Sequence, residues 1–207
     1  AVKLLRRDEN RLAMLLEKLA PGENLKTVCR PDEHAKAVRI AIEAMLAFWR
    51  QPPENQDFTT LESWFDDLRR AREINFAPDY AGRALRYFEE LNSASQMLLL
   101  HGDFHHENIL SATREPFLAI DPKGIVGGAG YDVTVFLLNH ARWLRDEPDL
   151  HSKLDAAVRQ FSEALRIEPQ ELRKWTFAQA VLSAFWTFEE NSETWQRELA
   201  RAEIWKV

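Results

Sequence analysis

The chain has 207 residues, 45% of them hydrophobic, enough to bury one large core, and its formal charge of −6 opposes binding to a nucleic-acid backbone while suiting a cationic ligand. Cys29 is the single cysteine, so an internal disulfide is excluded, the cytosol is the expected compartment, and Cys29 reads as a small, semi-buried filler. No apolar run approaches the roughly 20 residues of a membrane helix. The start AVKLLRRDENR carries no signal-peptide core, and seven Trp and twelve Phe against seven Gly and nine Pro point to a helix-rich, aromatic interior.

The first apolar runs, 1–5 and 12–16, are separated by the polar cluster RRDEN, which is hairpin spacing, and Pro21-Gly22 punctuates the end. From Asp32 the period becomes helical: Val38, Ile42, Met45, Leu46 and Trp49 share a face until Pro52-Pro53 closes the segment. Helices are expected over 61–74 and 79–95, the second introduced by Pro78. Two brief apolar runs follow, 97–100 entering His101-Gly102-Asp103 and 117–120 entering Asp121. GIVGGAG, residues 124–130, matches neither the dinucleotide nor the P-loop fingerprint and reads as a loop. Beyond it the period predicts helices over 131–145, 150–167, 169–189 and 193–205.

His101, Asp103, His105, His106, Glu107 and Asn108 fall within eight positions, and Asp121 comes thirteen residues after Asn108. Phosphoryl transfer gives a reason for that density. A carboxylate must orient the acceptor hydroxyl and take its proton, while an amide oxygen and a second carboxylate hold Mg²⁺ against the nucleotide phosphates. Asn108 follows Asp103 by five residues, as the metal-binding Asn follows the base in kinase catalytic loops. HGDFHHENIL, AIDPKG and GYDV together resemble the aminoglycoside phosphotransferase family, and within it the streptomycin and hydroxyurea phosphotransferase branch. AMLLEKLAPGENL is similar to that family's last N-lobe strand and hinge, and SAFWTFEEN to its late C-lobe helices, so the resemblance covers nearly the whole chain.

The resemblance implies a protein-kinase-like α+β fold. Residues 1–19 would be the remnant of an N-lobe and its hinge, 20–207 a mainly helical C-lobe, with the nucleotide between them. It implies ATP-dependent phosphorylation of a hydroxyl on a small cationic acceptor, an aminoglycoside such as streptomycin, with ATP and Mg²⁺ as cofactors and antibiotic resistance as the outcome. Neither nucleic acid nor membrane is an expected partner. Carried over residue by residue, Asp103 is the base and Asn108 and Asp121 are the magnesium and nucleotide ligands. His105 is either a neutralising group for the moving phosphoryl or a loop-stabilising partner. His101 and Asp132 support the loop, and the backbone of Glu17, Lys18 and Leu19 forms the adenine-reading hinge. Glu189 and Glu190 are the candidates for the acceptor's cationic groups, with Trp186 as a cation–π surface and Asp66 and Asp67 in second place. Lys123 reads either as a phosphate contact or as a solvated side chain.

A kinase of this type also needs a phosphate-covering loop and a strand lysine paired with a helix glutamate. Lys3 is the early candidate, but eight residues separate it from Leu12, too few for the intervening helix. The chain is therefore expected to begin inside an N-lobe whose phosphate-binding parts precede it. Three other readings remain open: a kinase of hydroxyurea or another small metabolite, a kinase-fold binding module without turnover, and a zinc hydrolase built on H-x-D-x-H-H. The last leaves Asn108 and DPKG unexplained, and no G-x-S-x-G indicates a serine nucleophile.

Overall fold

The computed structural model describes residues 1–54, 56–190 and 193–207. It opens on an antiparallel hairpin, β1 (Leu4–Asp8) and β2 (Ala13–Leu16). The two apolar runs do form the hairpin, but Arg6, Arg7 and Asp8 belong to its first strand and the turn is confined to residues 9–12. Both strands are largely exposed, so neither face imposes an apolar alternation and charged side chains fit within the strand. Pro21-Gly22, expected only as punctuation, opens a short strand, β3 (Pro21–Asn24), followed by the single turn α1 (Leu25–Val28). The Asn24 side chain accepts the Thr27 N–H at 3.1 Å and starts that turn. Cys29, just beyond, is fully buried rather than semi-buried.

Helix α2 (His34–Phe48) buries Val38, Ile42 and Met45 as its period predicts. Leu46 departs from the expected face and is 55% exposed, because it lies one residue, about 100° of helix rotation, past Met45. The two-residue strand β4 (Thr59–Thr60) leads into α3 (Leu61–Glu73), whose first turn is capped by the Thr60 hydroxyl, and α4 (Pro78–Ala94) starts with Pro78 where its missing N–H costs nothing. Strands β5 (Met97–Leu100), β6 (Ile109–Ala112), β7 (Phe117–Ala119) and β8 (Ile125–Gly128) then assemble two small sheets, ordered β3-β6-β7 and β4-β8-β5.

Strand β8 corrects the loop reading of GIVGGAG: it pairs antiparallel with β5, Leu99 opposite Val126, and parallel with β4. Its glycines serve close packing. A Cβ at Gly127 would lie 2.2 Å from Leu61 Cδ1, and one at Gly128 2.6 Å from Ser95 Oγ. The remaining helices are α5 (Gly130–Trp143), α6 (Leu150–Leu165), α7 (Pro169–Glu189) and α8 (Trp195–Ala202) with a 3-10 turn at Glu203–Trp205. SAFWTFEEN runs off the end of α7, and its last residue, Asn191, lies outside the described residues.

The core forms around α5 and α7, which are apolar on nearly all sides and packed against each other. Helix α4 covers α7 on one flank and α8 on another, α6 covers α5, and α2 lies on α6. Phe65 of α3 stacks on Phe88 of α4 at 4.0 Å, with Trp175 of α7 edge-on to both. Strand β8 packs against α3 and α4 and β7 against α2, and the loop leaving β5 emerges beside the first turn of α5. Among the described residues no helix is long and apolar enough to cross a membrane.

Candidate active site

The loop leaving β5 is fixed from below by Asp132, fully buried in the first turn of α5. Its carboxylate accepts three N–H groups: His101 backbone at 2.9 Å, Gly102 backbone at 2.8 Å and the Trp49 indole at 2.8 Å. Burial pushes its carboxyl above the ordinary range, and the three donors pull it back. Gly102 is required for this approach. It sits at φ +83°, and a Cβ there would meet Ile125 at 3.0 Å and Lys123 at 3.1 Å.

His101, also fully buried, joins the two loops. Its Nε2 lies 2.8 Å from the Ile120 carbonyl and its Nδ1 accepts the Asp103 N–H at 3.3 Å. This assigns the hydrogen to Nε2 and leaves the ring neutral, in accord with the downward push of burial on its pKa. The Lys123 N–H donates to the His101 carbonyl at 2.7 Å, completing the seam.

Asn108 closes the loop on itself. Its Nδ2 donates to the Asp103 carbonyl at 2.9 Å and lies 3.2 Å from His105 Nε2, while its own carbonyl accepts the Ile120 N–H at 3.0 Å. With its amide nitrogen spent on Asp103, the amide oxygen is the atom left to face a ligand. Asp121, in the left-handed region at φ 54°, projects an exposed carboxylate. That conformation is uncommon for a non-glycine residue and recurs at sites where one side chain must be aimed.

Lys123 links the carboxylates: its ammonium is 2.8 Å from Asp121 and 3.7 Å from Asp103. The lysine holds the Asp121 carboxyl below its usual range, and Asp121 in turn raises the lysine. The Asn108 amide oxygen and the Asp121 carboxylate are hard oxygen donors, the type that suits magnesium, and in this structure the Lys123 ammonium rests against that carboxylate. The imidazoles do not converge in the same way. Both His101 nitrogens are taken, and His106 is turned into the core toward His140. Among the described residues no group of three or more His, Cys, Asp or Glu is placed to hold a metal.

A cavity of about 270 Å³ opens beside Asp103, with Trp64, Lys123, Gln179 and Trp186 in its wall. Trp64 and Trp186 meet edge to face at 5.8 Å, and the Trp186 indole donates to Asp67 at 2.6 Å. Of the acceptor candidates, Trp186 is therefore brought to Asp103, and Asp67 stands behind it. Glu189 is instead paired with Arg70 at 2.8 Å, Glu190 is exposed, and Asp66 is paired with Arg69; none of the three lines this cavity. Trp64 and Gln179 were not singled out from the sequence. Gln179 left a signal there, a polar residue in the otherwise apolar stretch FAQAVL.

At the expected hinge, the Glu17 carboxylate accepts Arg114 at 3.0 and 3.1 Å and the Lys3 N–H at 3.1 Å, so it is held below its usual range. The Glu17 N–H donates to the Lys3 carbonyl at 2.9 Å. Lys18 is exposed and Leu19 half-buried.

The family model described as aminoglycoside/hydroxyurea antibiotic resistance kinase matches residues 1–191. The chain is similar to a streptomycin 6-kinase of Streptomyces griseus, 29% identical over 203 residues covering 91% of this chain and 62% of that protein. It is likewise similar to a hydroxyurea phosphotransferase of Kitasatospora aureofaciens, 27% identical over 222 residues, 98% of this chain and 59% of that one. The chain thus spans about three fifths of the length of these relatives. Among solved structures, a choline kinase from Streptococcus pneumoniae superposes with a TM-score of 0.66 at 12% identity, over 99% of this chain and 73% of that one, which shows a protein-kinase-like fold.

Proposed function

We propose, for a chain that belongs to the aminoglycoside/hydroxyurea antibiotic resistance kinase family, that it transfers the γ-phosphoryl group of ATP to a hydroxyl of a small cationic acceptor of the aminoglycoside class, with streptomycin as the first candidate. The observation that carries this reading is the convergence of Asp103 and Asp121 on one ammonium, that of Lys123, with Asn108 tied to Asp103. Residues 1–19 act as the end of the N-lobe and the hinge, whose backbone at Glu17, Lys18 and Leu19 reads adenine, and residues 20–207 act as the C-lobe. A reaction that draws on ATP belongs in the cytoplasm.

Asp103 orients the acceptor hydroxyl and takes its proton as the oxygen attacks the γ-phosphorus; the bond from that phosphorus to the β–γ bridging oxygen breaks and ADP leaves. Asn108 and Asp121 would hold Mg²⁺ through the amide oxygen and the carboxylate, and the ion when bound supplies positive charge against the phosphate oxygens. Lys123 adds a second positive charge beside Asp103, and His105, 3.7 Å from the Asp103 carboxylate, lends a hydrogen-bonding ring to the same face. The acceptor's cation rests on the faces of Trp64 and Trp186.

ATP consumption by the native polypeptide against streptomycin, other aminoglycosides and hydroxyurea tests the reading. Turnover with an aminoglycoside is expected, reduced by about 10²–10⁴ in Asp103→Ala with nucleotide binding retained. Turnover with hydroxyurea alone reassigns the acceptor class. Nucleotide binding without turnover on any acceptor leaves a kinase-fold binding module, and zinc-dependent hydrolysis replaces the reading altogether.

A further inference from the structure

His106 stands between Asp103 and Asn108 in the catalytic turn, yet its ring points away from the site into the core, where it is fully buried. Its Nε2 lies 3.0 Å from Nδ1 of His140, an equally buried residue of α5. The two rings are within 10° of coplanar, and Phe136, one turn before His140, stacks on His106 at 4.3 Å. Burial holds both imidazoles far below their usual pKa, so the pair is neutral and shares one hydrogen.

Such a pair is costly by itself. The outward nitrogens, His106 Nδ1 and His140 Nε2, are buried without a hydrogen-bond partner. Whichever tautomer is present, one of them is a donor and the other an acceptor. Two apolar side chains would fill the space without that penalty. What the imidazoles add is direction: an in-plane N–H···N bond fixes where His106, and so the turn that carries it, sits on α5.

Asp132 already holds the upstream end of the loop on the same helix, through the backbone of His101 and Gly102. His140 lies eight residues further along, about 12 Å at 1.5 Å per residue. The loop is therefore attached to α5 at both ends, and the Asn108 to Asp103 bond spans the interval.

We infer that His140 is a positioning residue for phosphoryl transfer, holding the Asp103–Asn108 turn at its second point on α5 through His106. The inference rests on the proposed kinase reading, and the test separates the two. Phe at 140 keeps a stacked ring and removes the bond, whereas Asn places a polar atom near the position of Nδ1. In the native polypeptide, His140→Phe is expected to lower kcat by about ten- to a hundredfold with little change in nucleotide affinity. Amide exchange over 103–108 speeds up in the same variant, and His140→Asn recovers most of both. Unchanged kcat and exchange in His140→Phe overturns the proposal. Equal loss in both variants, with no recovery by Asn, also overturns it, since bulk and not the bond would then matter. Should the wild type consume no ATP with any acceptor, the kinase reading fails while exchange still decides whether His140 fixes the turn. If His140→Phe does not fold, ¹⁵N spectra of the wild-type side chains decide it: a shared His106–His140 hydrogen supports the inference, and two independently solvated rings remove it.

Discussion

Trp49 and Asp132, 83 residues apart in sequence, meet at 2.8 Å, where the indole N–H from the end of α2 completes the donors around the buried carboxylate. Trp49→Phe keeps most of the volume and removes that donor. The expected cost is about 1–3 kcal/mol, because an acceptor in the core is left short of a partner. For a chain of this length that corresponds to a fall in Tm of roughly 2–4 °C per kcal/mol. Calorimetry checks it, and an unchanged Tm would show that water replaces the indole.

Lys123 makes a titration visible. It holds the Asp121 carboxyl below its ordinary range, chiefly through the side-chain hydrogen bond. Lys123→Met should therefore let the Asp121 pKa rise toward that of a free carboxylate, read by carboxyl ¹³C NMR without ligands. A pKa that stays put would place the cause elsewhere in the loop.

Acid stability should carry the mark of the buried histidines. Burial lowers His140 from 6.5 to about 3 and lowers His106 in the same direction. The unfolded chain therefore binds protons that the folded chain refuses. The stabilisation is fully present above about pH 6.5 and is lost as pH falls toward 3, at up to about 1.4 kcal/mol per pH unit for each such group. Urea unfolding from pH 7 to pH 4 should show this slope, and His140→Phe should flatten it.

On the proposed reading, the cavity beside Asp103 separates Trp186, which lines it, from Glu189 and Glu190, which do not. Trp186→Leu is expected to raise the acceptor KM by roughly two- to thirtyfold, the worth of about 0.5–2 kcal/mol of cation–π contact, with the nucleotide KM unchanged. Glu189→Gln and Glu190→Gln should leave the acceptor KM near wild type, since Glu189 is occupied by Arg70. Steady-state kinetics with the best acceptor decides between them, and an effect confined to the glutamate variants would reverse the assignment.

That Asp103, Asn108 and Asp121 meet was legible in the sequence because Asp103 and Asp121 each follow a short apolar run that ends at one place in the fold. The helices were legible because the apolar period survives wherever one face is buried. Strand β8 was hidden because its two glycines look like a flexible loop, whereas they are there to let Leu61 and Ser95 approach. The pairing of Glu189 could not be read either, since Arg70 lies 119 residues earlier and reaches it only through the packing of α3 beside α7. His140 was silent for the same reason: a lone histidine in an apolar helix shows its partner only when His106 is seen to meet it.

The tight seat of Gly127 on Leu61 restricts how the cavity beside Asp103 can be reshaped. Leu61 opens the helix that presents Trp64 one turn later, so any side chain at 127 presses on the element that carries Trp64, while Trp186 stands on α7. Single substitutions that retune the pocket must therefore fall on the helices' inward side chains, with the strand behind α3 left untouched. A wider cavity that keeps this seat would require shorter side chains at Trp64, Gln179 or Trp186.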